Sequence, residues 1–317
     1  MAINSSKPRV AIYYDVLQST GMRNDGCPLF INYNLRKLLN DSVVWEDHRN
    51  NVAHLSPCMP TDDFGHFDLH ILCDYGEDAL GISLDWKLPH PNAYWVSDAH
   101  LGYDYRLKRA KQFDHVFVAQ RAFIDRFIAD GIPADSIHYM PHAFEPDVYK
   151  PIPIIEKHDW TFVGYPNSQH RIDLLDRFIK EFPNYYLGWR LPGVQGHNEL
   201  DDVNMKYNQS RIIINDAVKL DLNMRVFEVL GAGRFLITQE IEELEGNFTP
   251  GFHLETYKTI DEAVDLAREY LNDPELMKVI AKKGHYHALE NHTYMHRAKQ
   301  ILKTTLNYEP QGELLAC

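Results

Sequence analysis

Short β-rich runs alternate with helical segments along almost the whole chain, and this alternation constrains the fold more than any single motif. Strand candidates fall at 9–15 (RVAIYYD), 43–47 (VVWED), 69–74 (LHILCD), 93–98 (AYWVSD), 115–120 (HVFVAQ) and 137–140 (IHYM). Helix-like stretches such as 28–40 and 121–130 lie between several of them. In the second, Phe123, Phe127 and Ile128 share one face. Such alternation implies a mostly parallel sheet covered by helices on both sides. Pro151 and Pro153 then break the pattern, because proline disfavours both helix and central strand. Residues 150–159 (KPIPIIEKHD) therefore read as a linker. A second series follows, with strands at 160–165, 185–190, 211–215 and 234–238. Its helices are expected at 168–181, 223–231, 260–272, 274–284 and about 293–307. Two α/β halves of similar size predict two domains facing each other across a cleft.

The length of 317 residues agrees with two domains, and 44% apolar against 24% charged residues is ordinary for a soluble globular chain. The net charge of −13 repels polyanions and disfavours a nucleic-acid partner, but leaves room for one phosphorylated small ligand. Cys27, Cys58, Cys73 and Cys317 form no C-x-x-C pair, so neither a disulfide framework nor a zinc finger is expected. No signal peptide and no transmembrane segment is legible, and no basic amphipathic helix stands out. A reducing cytoplasm is the expected compartment.

Ligands of open α/β sheets bind beyond the carboxyl ends of the strands. The most informative stretch there is NMRVFEVLGAGRFLIT, 223–238. A short helix ends at Gly231 and Gly233 and runs into an apolar strand. Asp221 or Asn223 can cap this helix. Its first turn, Asn223, Met224 and Arg225, points amides and a positive dipole end at a diphosphate. Glu228 offers two acceptor oxygens suited to vicinal ribose hydroxyls. The plainer alternative is a surface ion pair between Arg225 and Glu228 at i, i+3. After the strand at 160–165, Gly164 permits close backbone approach and Arg171 can reach anionic oxygens; a surface Arg at a helix start is the alternative. In the first half, Asp98 and His100 follow a strand, where either can act as a base toward an acceptor hydroxyl, or Asp98 can cap the next helix. Asp15 and Gly21 open a polar loop that can close over a ligand. His142 and His253 are further cleft candidates. His285, His287, His292 and His296 lack a motif such as H-E-x-x-H, so no metal site is expected.

The stretch 223–238 resembles the nucleotide-binding segment of GT-B glycosyltransferases, and more narrowly the CgeB-like (spore-maturation-protein-like) branch, with its N-x-R-x-F-E-x-x-x-x-G pattern before an apolar strand. The resemblance continues through the PG turn at 250–251, Gly284 and H-T-Y-x-x-R (His292, Thr293, Tyr294, Arg297), and through VSDAHLGYDYR and MPHAFEPDVYKP in the first half. It implies two Rossmann-like domains: 1–150 for the acceptor, 151–292 for the nucleotide sugar, and 293–317 as a helix returning to the first. It implies a transferase moving a hexosyl or pentosyl group from a UDP- or GDP-linked donor to a saccharide, glycoconjugate or protein hydroxyl, with no obligatory cofactor or metal. Carried over, Glu228 matches the ribose-holding Glu, Asn223 and Arg225 the segment beside the diphosphate, and Arg171 a basic position. Retaining relatives carry an E-x7-E pair, and eight residues before Glu228 stands Leu220, with Asp221 beside it. The alternatives are a non-catalytic nucleotide-sugar-binding protein of the same fold, a UDP-sugar epimerase, and a DNA-base glycosyltransferase.

Overall fold

The computed structural model describes residues 7–14, 27–39, 52–55, 67–74, 83–166, 168–188, 200–217, 219 and 221–310. The chain divides into two compact units. Unit 1 comprises residues 1–141 and 294–317, and unit 2 comprises 142–293.

Unit 1 is built on a six-stranded parallel sheet in the order β2-β1-β3-β4-β5-β6. Its strands are β1 (Val10–Tyr13), β2 (Val52–Leu55), β3 (Leu69–Asp74), β4 (Asn92–Val96), β5 (His115–Val118) and β6 (Ile137–Tyr139). The apolar runs at β1, β3, β4 and β5 are buried almost throughout, as expected for strands covered on both faces. Helices α1 (Cys27–Leu39), α2 (Tyr103–Ala110) and α3 (Ile124–Ala129) connect them, α3 after a 3-10 turn at Arg121–Phe123. Helix α9 (Tyr294–Leu306), at the far end of the chain, packs on α1. Phe30 and Tyr294 set their rings 5.2 Å apart. Arg297 Nε and Gln300 Nε2 of α9 donate to the Pro141 and Tyr139 carbonyls, each at 2.8 Å, and so tie it to the end of β6.

Unit 2 has a five-stranded parallel sheet in the order β11-β10-β9-β7-β8. The strands are β7 (His158–Val163), β8 (Tyr185–Gly188), β9 (Ser210–Asn215), β10 (Phe235–Gln239) and β11 (Glu255–Tyr257). The helices are α4 (Gln169–Glu181), α5 (Leu200–Asn208), α6 (Met224–Gly231), α7 (Ile260–Asn272) and α8 (Pro274–Asn291). The period of two decides the layers. Val163, Ile213 and Leu236 join the core beneath α5 and α6, whereas Trp160, Phe162, Ile212, Ile214, Phe235 and Ile237 join that beneath α4 and α7. Asp273 accepts from Leu276 N and Pro274 takes the first turn of α8.

Several expectations are corrected. The boundary between the units falls at 141/142 rather than 150/151, because Phe144 and Tyr149 are buried in the unit 2 core. The Pro-rich stretch is irregular but strapped to α5: Asn204 Oδ1 accepts from Lys150 N (3.2 Å), and Asn208 Oδ1 from Ile152 N (3.0 Å). Helix α8 does not stop at Gly284 but runs on to Asn291. A Cβ at Gly284 would sit 2.2 Å from the His253 carbonyl oxygen, so this glycine serves close approach rather than helix termination. The strand expected at 43–47 lies outside the described residues; the edge strand observed is β2. Two helices, α2 and α5, and one short strand, β11, were not anticipated.

The interior of unit 1 contains a buried ion pair that sequence reading missed. Arg106 Nη2 lies 2.7 Å from Asp74 Oδ1, with the two side chains 0% and 2% exposed. Tyr94 OH also donates to Asp74. Removing one partner strands the other charge in the core, so Arg106→Met is expected to cost about 3–5 kcal/mol in urea unfolding. The double replacement Asp74→Leu, Arg106→Met is expected to recover much of that loss; equal losses in single and double variants would contradict the pairing.

Candidate functional site

The sheet order of unit 2 places a topological switch point between β7 and β9. The chain leaves β7 for β8 on one side and then crosses to β9 on the other, so the loops after β7 and β9 diverge. Two buried polar residues, Asn215 and Asp216, end β9 at this point. Asn215 Nδ2 donates to Thr238 Oγ1 of β10 (2.9 Å). Its Oδ1 accepts from Arg225 Nη1 (2.5 Å) and Asn223 Nδ2 (3.3 Å) at the start of α6. Asp216 Oδ1 accepts from His170 Nδ1 (2.9 Å) of α4 and lies 3.1 Å from the Tyr257 hydroxyl of β11. The Asp216 carbonyl accepts from Arg171 Nη2 (2.5 Å). One dipeptide thus holds the ends of four elements.

Arg171 and Arg225 form the positive centre of this edge. Arg171 is 3% exposed, and its guanidinium donates to Tyr165 O (2.6 Å) and lies 3.6 Å from Asp216 Oδ2. It is therefore not the surface arginine of the plainer alternative; it ties the loop after β7 to the loop after β9. Arg225 Nε donates to Val163 O (2.7 Å). The two guanidinium carbons stand 5.3 and 4.4 Å from the Phe162 ring centroid. Burial, and then repulsion from Arg225, push the Arg171 pKa down to about 10, which still leaves a cation at neutral pH. Gly164 is required by this crossing. A Cβ there would stand 2.0 Å from Arg225 Nη2, so the close approach it permits is that of Arg225.

Helix α6 starts at Asn223, whose side chain makes no capping bond, contrary to expectation. The reason is that its amide group turns to Asn215. Among the described residues, the buried Asn223 Oδ1 has no hydrogen-bond partner. Such a buried orphan acceptor is rare and calls for a donor from a ligand. Met224 and Glu228 on the same helix are buried, and at 1% exposure Glu228 does not lie on the surface. Its Oε2 lies 3.5 Å from the Tyr207 hydroxyl, the outer limit of a hydrogen bond. The helix closes in a Schellman motif: Gly233 (φ 68°) N donates to Leu230 O and Arg234 N to Val229 O. Asp221 and His142 are both buried, with side-chain ligand atoms within 4.8 Å of each other.

The remaining candidates lie elsewhere. His253 closes a turn in which its Nδ1 accepts from Thr249 N (3.0 Å). Its ring stacks on His287 at 4.2 Å, and His287 Nε2 donates to Asn247 O (2.7 Å). In unit 1, Asp98 and His100 follow β4. Gln120 fixes their loop, accepting from Ala99 N (2.9 Å) and donating to Ser97 O (2.5 Å). Asp98 does not cap α2, whose N-cap is Gly102 in the left-handed region. Asp15, Gly21 and Leu220 lie outside the described residues. Sequence reading missed Asn215, Asp216, Thr238 and Tyr257. The signal that could have found the first two is a polar Asn-Asp ending the apolar run RIII.

A family profile described as glycosyl transferase-like matches residues 170–303, a span that includes Asn215, Asp216 and all of α6. No curated protein sequence gives a significant match. Among solved structures, HepE from Anabaena in complex with UDP and glucose superposes with a TM-score of 0.67 at 13% identity, covering 95% of this chain and 100% of that one. Sucrose-phosphate synthase from Thermosynechococcus elongatus gives 0.68 at 9% identity, covering 95% and 98%. An α1,3-fucosyltransferase with GDP gives 0.57 at 12% identity, covering 97% and 93%. At these identities the likeness is one of fold, and the fold is that of GT-B glycosyltransferases. Among the described residues, no helix is long and apolar enough to cross a membrane.

Two outcomes follow from this geometry. Gly164→Ala is expected to fold but to swing Arg225 off Asn215 and Val163, at a cost of about 1–3 kcal/mol in thermal unfolding for the lost charged hydrogen bonds. A crystal structure of the variant with Arg225 unmoved would contradict this. His253 contributes to the pH response of stability. Burial, then His287 and Lys283, push its pKa down from 6.5 to about 4. The folded state therefore holds it neutral where the unfolded chain takes up a proton. Its stability contribution is complete above about pH 6.5 and is lost as the pH falls toward 4. Urea unfolding is expected to show a shallower loss between pH 7 and 4.5 in His253→Asn than in wild type; parallel profiles would contradict the assignment.

Proposed function

We propose that this protein is a glycosyltransferase of the CgeB-like branch, which moves a sugar from a UDP- or GDP-linked donor to a hydroxyl acceptor. The observation that carries the reading is the orphaned Asn223 Oδ1 beside the Arg225 guanidinium, at the start of α6 and at the switch point of the unit 2 sheet. A ligand there needs a donor for Asn223 and negative charge for Arg225. A nucleoside diphosphate sugar, with hydroxyls around a diphosphate, has both.

In this reading the diphosphate lies at the start of α6, where the helix dipole and Arg225 favour negative charge. Arg171 stands behind Arg225 and adds to the field. Glu228, one turn along the same helix, accepts hydrogen bonds from the ribose hydroxyls through its two carboxylate oxygens. The acceptor oxygen attacks the anomeric carbon, and the bond from that carbon to the diphosphate oxygen breaks. The acceptor proton passes to Asp98 or His100 in unit 1. Charge then builds on the leaving diphosphate, and the guanidiniums with the helix start stabilise it in place of a metal ion. Asp221, with His142 beside it, is assigned to the transferred sugar.

Glu228→Gln keeps the shape and removes the charge. Calorimetry is expected to show UDP or GDP binding weakened by about ten- to a hundredfold, or about 1.4–2.8 kcal/mol. Unchanged affinity for both nucleotides in a folded variant would remove Glu228 from the site.

A further inference from the structure

A second, basic-walled cavity of about 320 Å³ opens within unit 2, away from the edge described above. Arg211 near the start of β9 and Arg234 just before β10 both line it, so it lies at the amino ends of the strands. Its floor is apolar, formed by the buried Phe235, Met277 and Ala281. Lys278 and Lys282 of α8 complete a wall of four cations around one lining carboxylate, Glu156, and Lys278 Nζ pairs with the exposed Glu275 Oε1 at 2.9 Å. In a chain of net charge −13 this is a local inversion of sign.

The arginines are held in place. Arg234 Nε and Nη2 donate to Ser210 O (3.1 and 2.5 Å), and Nη2 reaches Glu156 Oε1 at 2.5 Å. Arg211 Nη2 donates to Leu271 O (2.8 Å), and its Nη1 lies 3.4 Å from Asp159 Oδ1. Lys282 makes no ion pair with any described residue; its Nζ stands 5.7 Å from the ring of Tyr286, which is 49% exposed. One cation and one aromatic face therefore remain for an incoming molecule. Charge alone would gather any small anion. The apolar floor and the aromatic wall, in a volume within the range of about 300–1,000 Å³ of small-molecule pockets, select an anion that carries an apolar body.

We propose that this cavity binds a small organic phosphate, with its anionic group against Lys282, the nearby charge of Lys278 adding to the attraction, and its apolar or aromatic body on the Phe235–Met277–Ala281 floor. His285 in the cavity wall shares a hydrogen bond through Nδ1 with Leu230 O (3.0 Å), in the last turn of α6. An occupant beside His285 is therefore one side chain away from the far end of the helix whose first turn holds Asn223 and Arg225. The proposal does not depend on the function assigned to that first turn.

Phenyl phosphate is the probe, titrated by calorimetry against wild type, Lys282→Glu, Lys278→Glu and Asn223→Ala, with inorganic phosphate in parallel. Both lysines are exposed, so their variants are expected to fold. Phenyl phosphate is expected to bind wild type about tenfold more tightly than inorganic phosphate, to weaken about tenfold on either charge reversal, and to be unchanged in Asn223→Ala. Absence of binding, equal binding of inorganic phosphate, indifference to Lys282→Glu, or loss in Asn223→Ala would each overturn the proposal.

Discussion

Everything at the carboxyl edge of unit 2 depends on two buried polar side chains at the end of β9. Asn215 and Asp216 accept or donate hydrogen bonds to α4, α6, β10 and β11. A buried polar group that lacks partners costs about 1–3 kcal/mol. The elements must therefore arrive where those partners are satisfied. The arrangement fixes Arg225 across Gly164 and over Phe162, and it sets Arg171 behind it. It also turns the Asn223 amide away from its own helix. The cost of that turn is an orphaned oxygen, and such strain tends to persist where a ligand relieves it.

Unit 1 solves a similar problem by different means. Asp74 ends β3 inside the unit, and its charge is met by Arg106 of α2 and by Tyr94. Beside it, Gln120 holds the Ser97–Ala99 backbone, which fixes the loop bearing Asp98 and His100. The sheet order of this unit places its own switch point between β1 and β3. Asp15 and Gly21, which follow β1, and residues 75–82, which follow β3, lie outside the described residues.

Much of the fold was legible because strands buried on both faces leave uninterrupted apolar runs, and LHILCD, AYWVS and RIIIN are such runs. Helix α6 was legible for a related reason. Its apolar residues almost encircle it, and Gly233 supplies the left-handed turn that ends it. What escaped was long-range or ambiguous. Glycine within a helical pattern reads as a stop, yet Gly284 lies within α8 because the His253 carbonyl approaches it. Asn223 reads as a cap, yet a partner from β9 takes its amide. The pairings of Asp74 with Arg106 and of Asp216 with His170 join residues far apart in sequence, and no local pattern encodes them. Gly164, Arg171 and Arg225 stand out in the sequence as separate candidates on two loops, and nothing local shows that Gly164 lacks a side chain where Arg225 crosses it.

The central claim is that a nucleoside diphosphate binds at the first turn of α6. It is tested most directly by titrating UDP and GDP into isotope-labelled protein and following the backbone amides of Met224 and Arg225 together with the Asn223 side-chain amide. The account predicts that one of the nucleotides moves these three resonances together, with the largest shifts in unit 2. If either nucleotide binds while all three stay fixed, or if neither binds at millimolar concentration, the account of this edge is wrong.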